Sequence, residues 1–271
     1  MAEAYPARGP RVRLSAGSMW ANVTWTIAKR SVILISRLPS AFFPSLIMPV
    51  FLTISFSGAF SGIVNVPGFP AEKALDWFIP MTTVQGAAFT GVTTGMGLVR
   101  DLESGFYDRL LASPASRSSL LSGTLLAAMF RSLAPLVLLT LIAIFAGATF
   151  HAGAASVVML AIACLGVSLA AGAWAVGLAL RFKTMQITPL MQTGMFLGVF
   201  LSTAQMPIHL LTGWLHDVAR FNPMTNVLAL ARQGFLGAIT WDVTWPGLLA
   251  IAGMAGALVL FSARGMAKVI P

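Results

Sequence analysis

The residues best placed to do chemistry lie in one short stretch. Arg100, Asp101, Glu103, Asp108 and Arg109 fall within ten positions, with Phe106, Tyr107 and Leu110 among them and Pro114 and Arg117 just beyond. Both charge signs interleaved with aromatic side chains form a docking surface better than a catalytic one, since charge pairs set register and an aromatic anchor supplies contact energy. A plain solvated loop would carry the charges but has no need of Phe106 and Tyr107. Other chemistry is missing. No glycine-rich loop followed by Lys-Ser or Lys-Thr could cradle a nucleotide phosphate. His151, His209 and His216 lack the cysteine or carboxylate that would complete a metal set. His209 and His216, seven apart, could share a helix face. Cys164 is the single cysteine and lies in an apolar run, where it reads as a small hydrophobe.

The rest of the chain must position that cluster, and its composition says in what medium. Of 271 residues, 57% are hydrophobic and only 9% are Asp, Glu, Lys or Arg; mean hydropathy is +0.85. A soluble domain is roughly 25% charged, so a soluble enzyme, a disordered chain and a disulfide scaffold are all excluded as first readings. The remaining class is a multi-spanning, all-α integral membrane protein, each span needing about 20 apolar residues. The net charge of +9 reports topology rather than nucleic acid.

Charge-free runs predict six spans: Ala41 to Phe60, Trp77 to Val99, two from the long run Ser132 to Leu180 divided at Gly147 to Gly153, Gln186 to Met206, and Trp245 to Ala263. With both termini inside, nearly all Lys and Arg fall in inner segments, and only Lys73, Arg220 and Arg232 fall outside. Arg131 is expected near the inner end of span three, where it can snorkel. No carboxylate falls inside a predicted span, which weighs against a proton- or cation-coupled carrier.

Two segments are neither spans nor plain loops. Met1 to Gly17 carries Arg8, Arg11 and Arg13 and reads as a flexible cytoplasmic tail. The permease domain then occupies residues 18–271. Within it, Ser18 to Leu38 places Trp20, Val23, Ile27, Leu34 and Leu38 on one helix face and Lys29, Arg30 and Arg37 on another, ending before Pro39. That is an amphipathic helix of the membrane interface. Residues 207–242 are apolar in patches and predict an external re-entrant helix pair, its second helix starting at Asn222 and Pro223 and stopping at Gly234 or Gly237.

The order of these features resembles the permease subunits of type-2 ATP-binding-cassette exporters, particularly the daunorubicin-resistance type. Arg100, Asp101 and Glu103 match an arginine-aspartate-x-glutamate element; Leu110, Leu111, Pro114 and Arg117 match the stretch after it. Asn222, Pro223, Thr225 and Arg232 match an asparagine-proline-x-threonine element before an external helix, and residues 37–60 fit the start of span one. The resemblance implies several things. Residues 18–38 would be the connecting helix. Residues 100–119 would hold the coupling helix, with Arg100, Asp101, Glu103, Phe106, Tyr107, Asp108, Arg109 and Arg117 facing a separate ATPase subunit. Two permease chains, identical or closely related, and two ATPase subunits would assemble. ATP and Mg would bind the partner, leaving no cofactor on this chain.

Substrate would move along the permease seam. Gln85, Gln192, Met195, Phe196 and Gln205 are candidate lining groups, and a Phe and Met wall with few amides suits a hydrophobic or amphipathic compound. Gly194 and Gly198, and also Gly91 and Gly95, have the small-xxx-small spacing of helix–helix contacts and are expected at the dimer interface. A glycan or glycolipid exporter remains open, as does an ATPase-independent secondary transporter or channel.

Overall fold

Gly91 and Gly95 explain the architecture. They lie on α3 (Ala74–Glu103), a 30-residue helix buried on nearly every side. A Cβ at Gly91 would stand 2.6 Å from the Ser168 carbonyl oxygen and 2.8 Å from the Gly172 nitrogen, and one at Gly95 would strike Ala175. Both glycines therefore form the seam between α3 and α6 (Ala154–Phe182) within one chain. They are not free for a dimer contact, as their spacing alone had suggested. At Gly86 a Cβ would meet both Pro49 and Pro135 at 3.0 Å. This is the crossing of α3 with α2 (Pro39–Ala59) and α5 (Arg117–Phe145).

The computed structural model describes residues 16–37, 39–113 and 115–268, and the side chains of 17–33, 46–113 and 115–268. The predicted tail up to residue 15, Leu38 and Pro114 lie outside them, as do the side chains of Leu34 and Arg37. The described residues are helical with short 3-10 turns and no strand. Besides those named, the elements are α1 (Ala16–Arg37), α4 (Phe106–Leu111), α7 (Thr188–Phe200), α8 (Trp214–Phe221), α9 (Pro223–Leu236) and α10 (Trp241–Ala267). Of the described helices, α5, α6 and α10 are long and apolar enough to cross a bilayer. The long charge-free run breaks between Phe145 and Ala154. The helix α3 matches them in length but is rich in Thr and Gly. Enclosed by α2, α5, α6 and α9, it has no need of an oily exterior.

The segment expected as a fifth span departs from a plain helix. α7 has only 13 residues and rises about 20 Å, short of a hydrocarbon core of about 30 Å. Yet the Met185 N–H donates to Glu103 Oε1 at 2.8 Å, and Trp77 Nε1 donates to the Gln205 carbonyl at 3.1 Å. Glu103 and Trp77 mark opposite ends of α3. Residues 185–205 thus run the length of α3, the last part through bends rather than helix.

α1 is docked rather than free. Trp20 Nε1 donates to Ser118 Oγ, Thr24 Oγ1 to the Ser119 carbonyl, and Ile27 lies against Gly123. Thr24 and Ala28 are buried, while Met19, Trp25, Val32 and Ile33 are exposed. The helix follows α5 lengthwise, with Thr24 and Ala28 rather than Val23 on its buried face. Arg131 lies midway along α5 instead of near its end. Its guanidinium reaches Thr94 Oγ1 at 3.3 Å and the Ser31 carbonyl at 2.8 Å.

Candidate coupling end, cleft and terminal clamp

At the Glu103 end of the bundle, Gly105 adopts φ +68° and turns the chain from α3 into α4, a conformation that costs glycine nothing. Ser116 then caps α5, accepting from the Ser119 N–H at 3.3 Å. The helical period of α4 sorts its residues. Tyr107 is buried and its hydroxyl reaches Met266 Sδ of α10 at 3.6 Å. Phe106 is half-buried beneath Arg30, whose guanidinium stands 4.1 Å over the ring. Asp108 and Arg109 point out. The expected aromatic anchors therefore face inward and fasten α4 to the bundle. The exposed face consists of Arg100, Glu103, Asp108, Arg109 and Arg117.

Asp101 is likewise occupied. Arg30 of α1 grips it with two bonds, 2.9 and 3.1 Å. That bond holds the Arg30 pKa above its ordinary value despite partial burial. Burial, then the Asp101 charge, raises the Tyr107 phenol well above the usual tyrosine range. Arg30 was expected on the headgroup side of α1. It belongs instead to this cluster, 71 positions away from Asp101 in sequence, and no local pattern could have paired them.

Among the seam candidates, Gly194, Met195 and Gly198 come together on a cleft of about 240 Å³ between α7, α6, α10 and α3, also lined by Trp174 and Met254. Gly194 packs against the Trp174 indole, where a Cβ would meet Nε1 at 2.9 Å. Gly198 has nothing within 4 Å of such a position. Phe196 stacks edge-on to Phe89 at 5.1 Å. Gln192 and Gln205 are half-buried. Gln85 is fully buried in α3, and its amide has no partner among the described residues. The structure does not bring Gln85, Gln192, Phe196 or Gln205 to the lining of the cleft.

The Trp77 end holds a clamp. Asn222 caps α9, accepting from the Met224 N–H at 2.9 Å, and its own amide donates to the Gly198 and Leu201 carbonyls, each at 2.8 Å. Pro223 is the first residue of α9. Arg232, 2% exposed, donates to the carbonyls of Trp77 (3.1 Å), Thr203 (2.6 Å) and Ala204 (2.5 Å), and its guanidinium lies 3.8 Å over the Trp77 ring. Buried non-helical backbone needs such partners in place of water. The helix α9 stops at Leu236 before Gly237; Gly234 lies inside it and packs on Ser156, where a Cβ would come within 2.5 Å.

Near the same end, Asp76 occupies the first turn of α3, 1% exposed, accepting from the Thr149 N–H at 2.9 Å. A run counted from Trp77 missed it because the helix begins at Ala74. His209 and His216 do not share a helix. His209 is in a 3-10 turn, its Nε2 at 2.8 Å from the Gly68 carbonyl, and His216 is in α8 beside Asp217.

The chain is similar to known transport permeases. The chain is 23% identical over 260 residues to the daunorubicin resistance ABC transporter permease protein DrrB1 of Streptomyces coeruleorubidus, covering 95% of this chain and 86% of that protein. It is 24% identical over 224 residues to the putative transport permease ycf38 of Porphyra purpurea, covering 80% and 75%. The ycf38 protein of Pyropia yezoensis is 25% identical over the same length, covering 79% and 74%. The profile of the ABC-2 type transporter family matches residues 22–236, and the chain belongs to that family as the membrane subunit of an ABC transporter.

Proposed function

We propose that this subunit exports a hydrophobic or amphipathic compound, drug-like or lipidic, from the cytoplasm or inner leaflet, driven by a separate ATPase. Six segments cross the cell membrane: α2, α3, α5, α6, residues 185–206 with α7 at their centre, and α10. Both termini are cytoplasmic. The Glu103 end faces the ATPase, and residues 207–242 cap the opposite end. Two permease chains and two ATPase subunits assemble, with the pathway at the permease seam near Gly194 and Gly198. DrrB1 is named for daunorubicin resistance, which supports a substrate of that character.

One observation carries the reading. Arg100, Glu103, Asp108, Arg109 and Arg117 stand exposed at the end of α3, the most enclosed helix among the described residues. A push on that face reaches α3, and α3 touches α2, α5, α6, α7 and α9. The energy must come from a partner that alternates between two states.

The test uses the chain co-expressed with its ATPase in proteoliposomes. Glu103→Ala should still insert and assemble, yet lose substrate transport by about tenfold or more while ATP hydrolysis continues. Transport at the wild-type rate would remove Glu103 from the coupling path.

A further inference from the structure

Arg232 does more than hold backbone. Its guanidinium has five N–H donors, and the clamp uses three, one on each nitrogen. Each terminal nitrogen keeps one N–H with no partner among the described residues. No carboxylate pairs with it there either. A buried cation facing only carbonyls and one indole ring is solvated but not neutralised, which is costly away from water.

Arg232 also forms part of the wall of a cavity of about 470 Å³, with Trp77, Thr203, His209, Gln233 and Thr240. That volume lies in the range of small-molecule sites, and a mainly apolar wall with a few directed polar groups is their usual chemistry. The position is informative too. Thr240 and Val243 of the wall flank Trp241, and Trp241, Trp245 and Trp214 are exposed at 70%, 47% and 69%. Exposed tryptophans at the start of a membrane helix, as Trp241 and Trp245 are on α10, mark the membrane interface, the depth at which lipid phosphates lie.

We propose that this cavity binds the net-anionic phosphodiester headgroup of a phospholipid from the leaflet at the Trp77 end, its phosphate supplying the counter-charge Arg232 lacks. Such a lipid would lock α9, the bent residues 201–206 and the start of α10 together. The proposal rests on the membrane character of the chain and not on the transported substrate.

Native mass spectrometry of the full chain in mild detergent tests it, with phosphatidylglycerol and phosphatidylcholine offered at equal concentration. The wild-type chain should retain phosphatidylglycerol about tenfold over phosphatidylcholine. Ala238→Phe fills the cavity without touching a clamp bond, because Ala238 is an exposed wall residue. It should lower phosphatidylglycerol retention about tenfold and leave phosphatidylcholine unchanged. Arg232→Gln should do the same where the variant still runs as a folded species on gel filtration. Displacement of phosphatidylglycerol by millimolar inorganic phosphate supports phosphate as the recognised group. Equal retention of both lipids, or undiminished phosphatidylglycerol on Ala238→Phe, overturns the proposal. So does phosphate binding with neither lipid retained, which assigns the site to a free anion.

Discussion

Arg30 and Asp101 set how α1 meets the Glu103 end of the bundle. The pair is bidentate, and Phe106 closes over the guanidinium. Because Arg30 is more than a third exposed, water screens the pair. A double-mutant cycle of Arg30→Ala and Asp101→Ala should give a coupling energy of only about 1 kcal/mol. A value near zero would mean that the two residues touch without holding α1. Tyr107 answers to pH. Its folded-state pKa is raised above the unfolded value, so its contribution is complete below the unfolded pKa of about 10 and is lost as pH rises beyond it. Thermal melts taken between pH about 9 and about 11 should fall further for the wild type than for Tyr107→Phe. Parallel curves would show that Tyr107 ionises without consequence for the fold.

The helices are joined by close approach rather than by oil, since lipid is as apolar as leucine. The α3–α6 seam is the clearest instance. Gly91→Ala would force a Cβ against backbone atoms of Ser168 and Gly172, and backbone cannot rotate away as a side chain can. We expect about 1–3 kcal/mol of destabilisation, read as a lower melting temperature in detergent. Gly97→Ala serves as the control, because a Cβ at Gly97 meets nothing within 4 Å. Equal melting temperatures for the two variants would refute the seam. The short helix α7 shows a different solution: its helix stops early, and Asn222 and Arg232 of the neighbouring α9 take up the carbonyls that the bends release.

At the scale of the whole molecule, no nucleotide-cradling loop occurs in the chain, and the family is one of ABC transporters. The permease chain alone, reconstituted with an imposed ion gradient, should therefore accumulate no substrate, and adding the ATPase subunit with ATP should restore uptake. Accumulation on the gradient alone would point to a secondary transporter. The proposed hydrophobic or amphipathic character of the substrate and the proposed paired assembly are tested in the same vesicles by competition and cross-linking.

Composition alone determined that this chain lives in a membrane, because 9% charged residues cannot solvate a globule of its length. Local spacing determined the start of α9 at Asn222 and Pro223, and the break between α5 and α6, because caps, turns and apolar runs act over a few residues. The order of short motifs was enough to point to the family. Only the tertiary structure decided which charges are free. Asp101 reads as a surface group until Arg30 is folded against it, and Tyr107 reads as an anchor until α10 covers it. It also decided that Gly91 and Gly95 join helices of one chain, and that Arg232 holds a broken helix from 28 positions away. Such contacts join residues distant in sequence. The free energy of each depends on what else is excluded from the site, and no window along the chain contains that information.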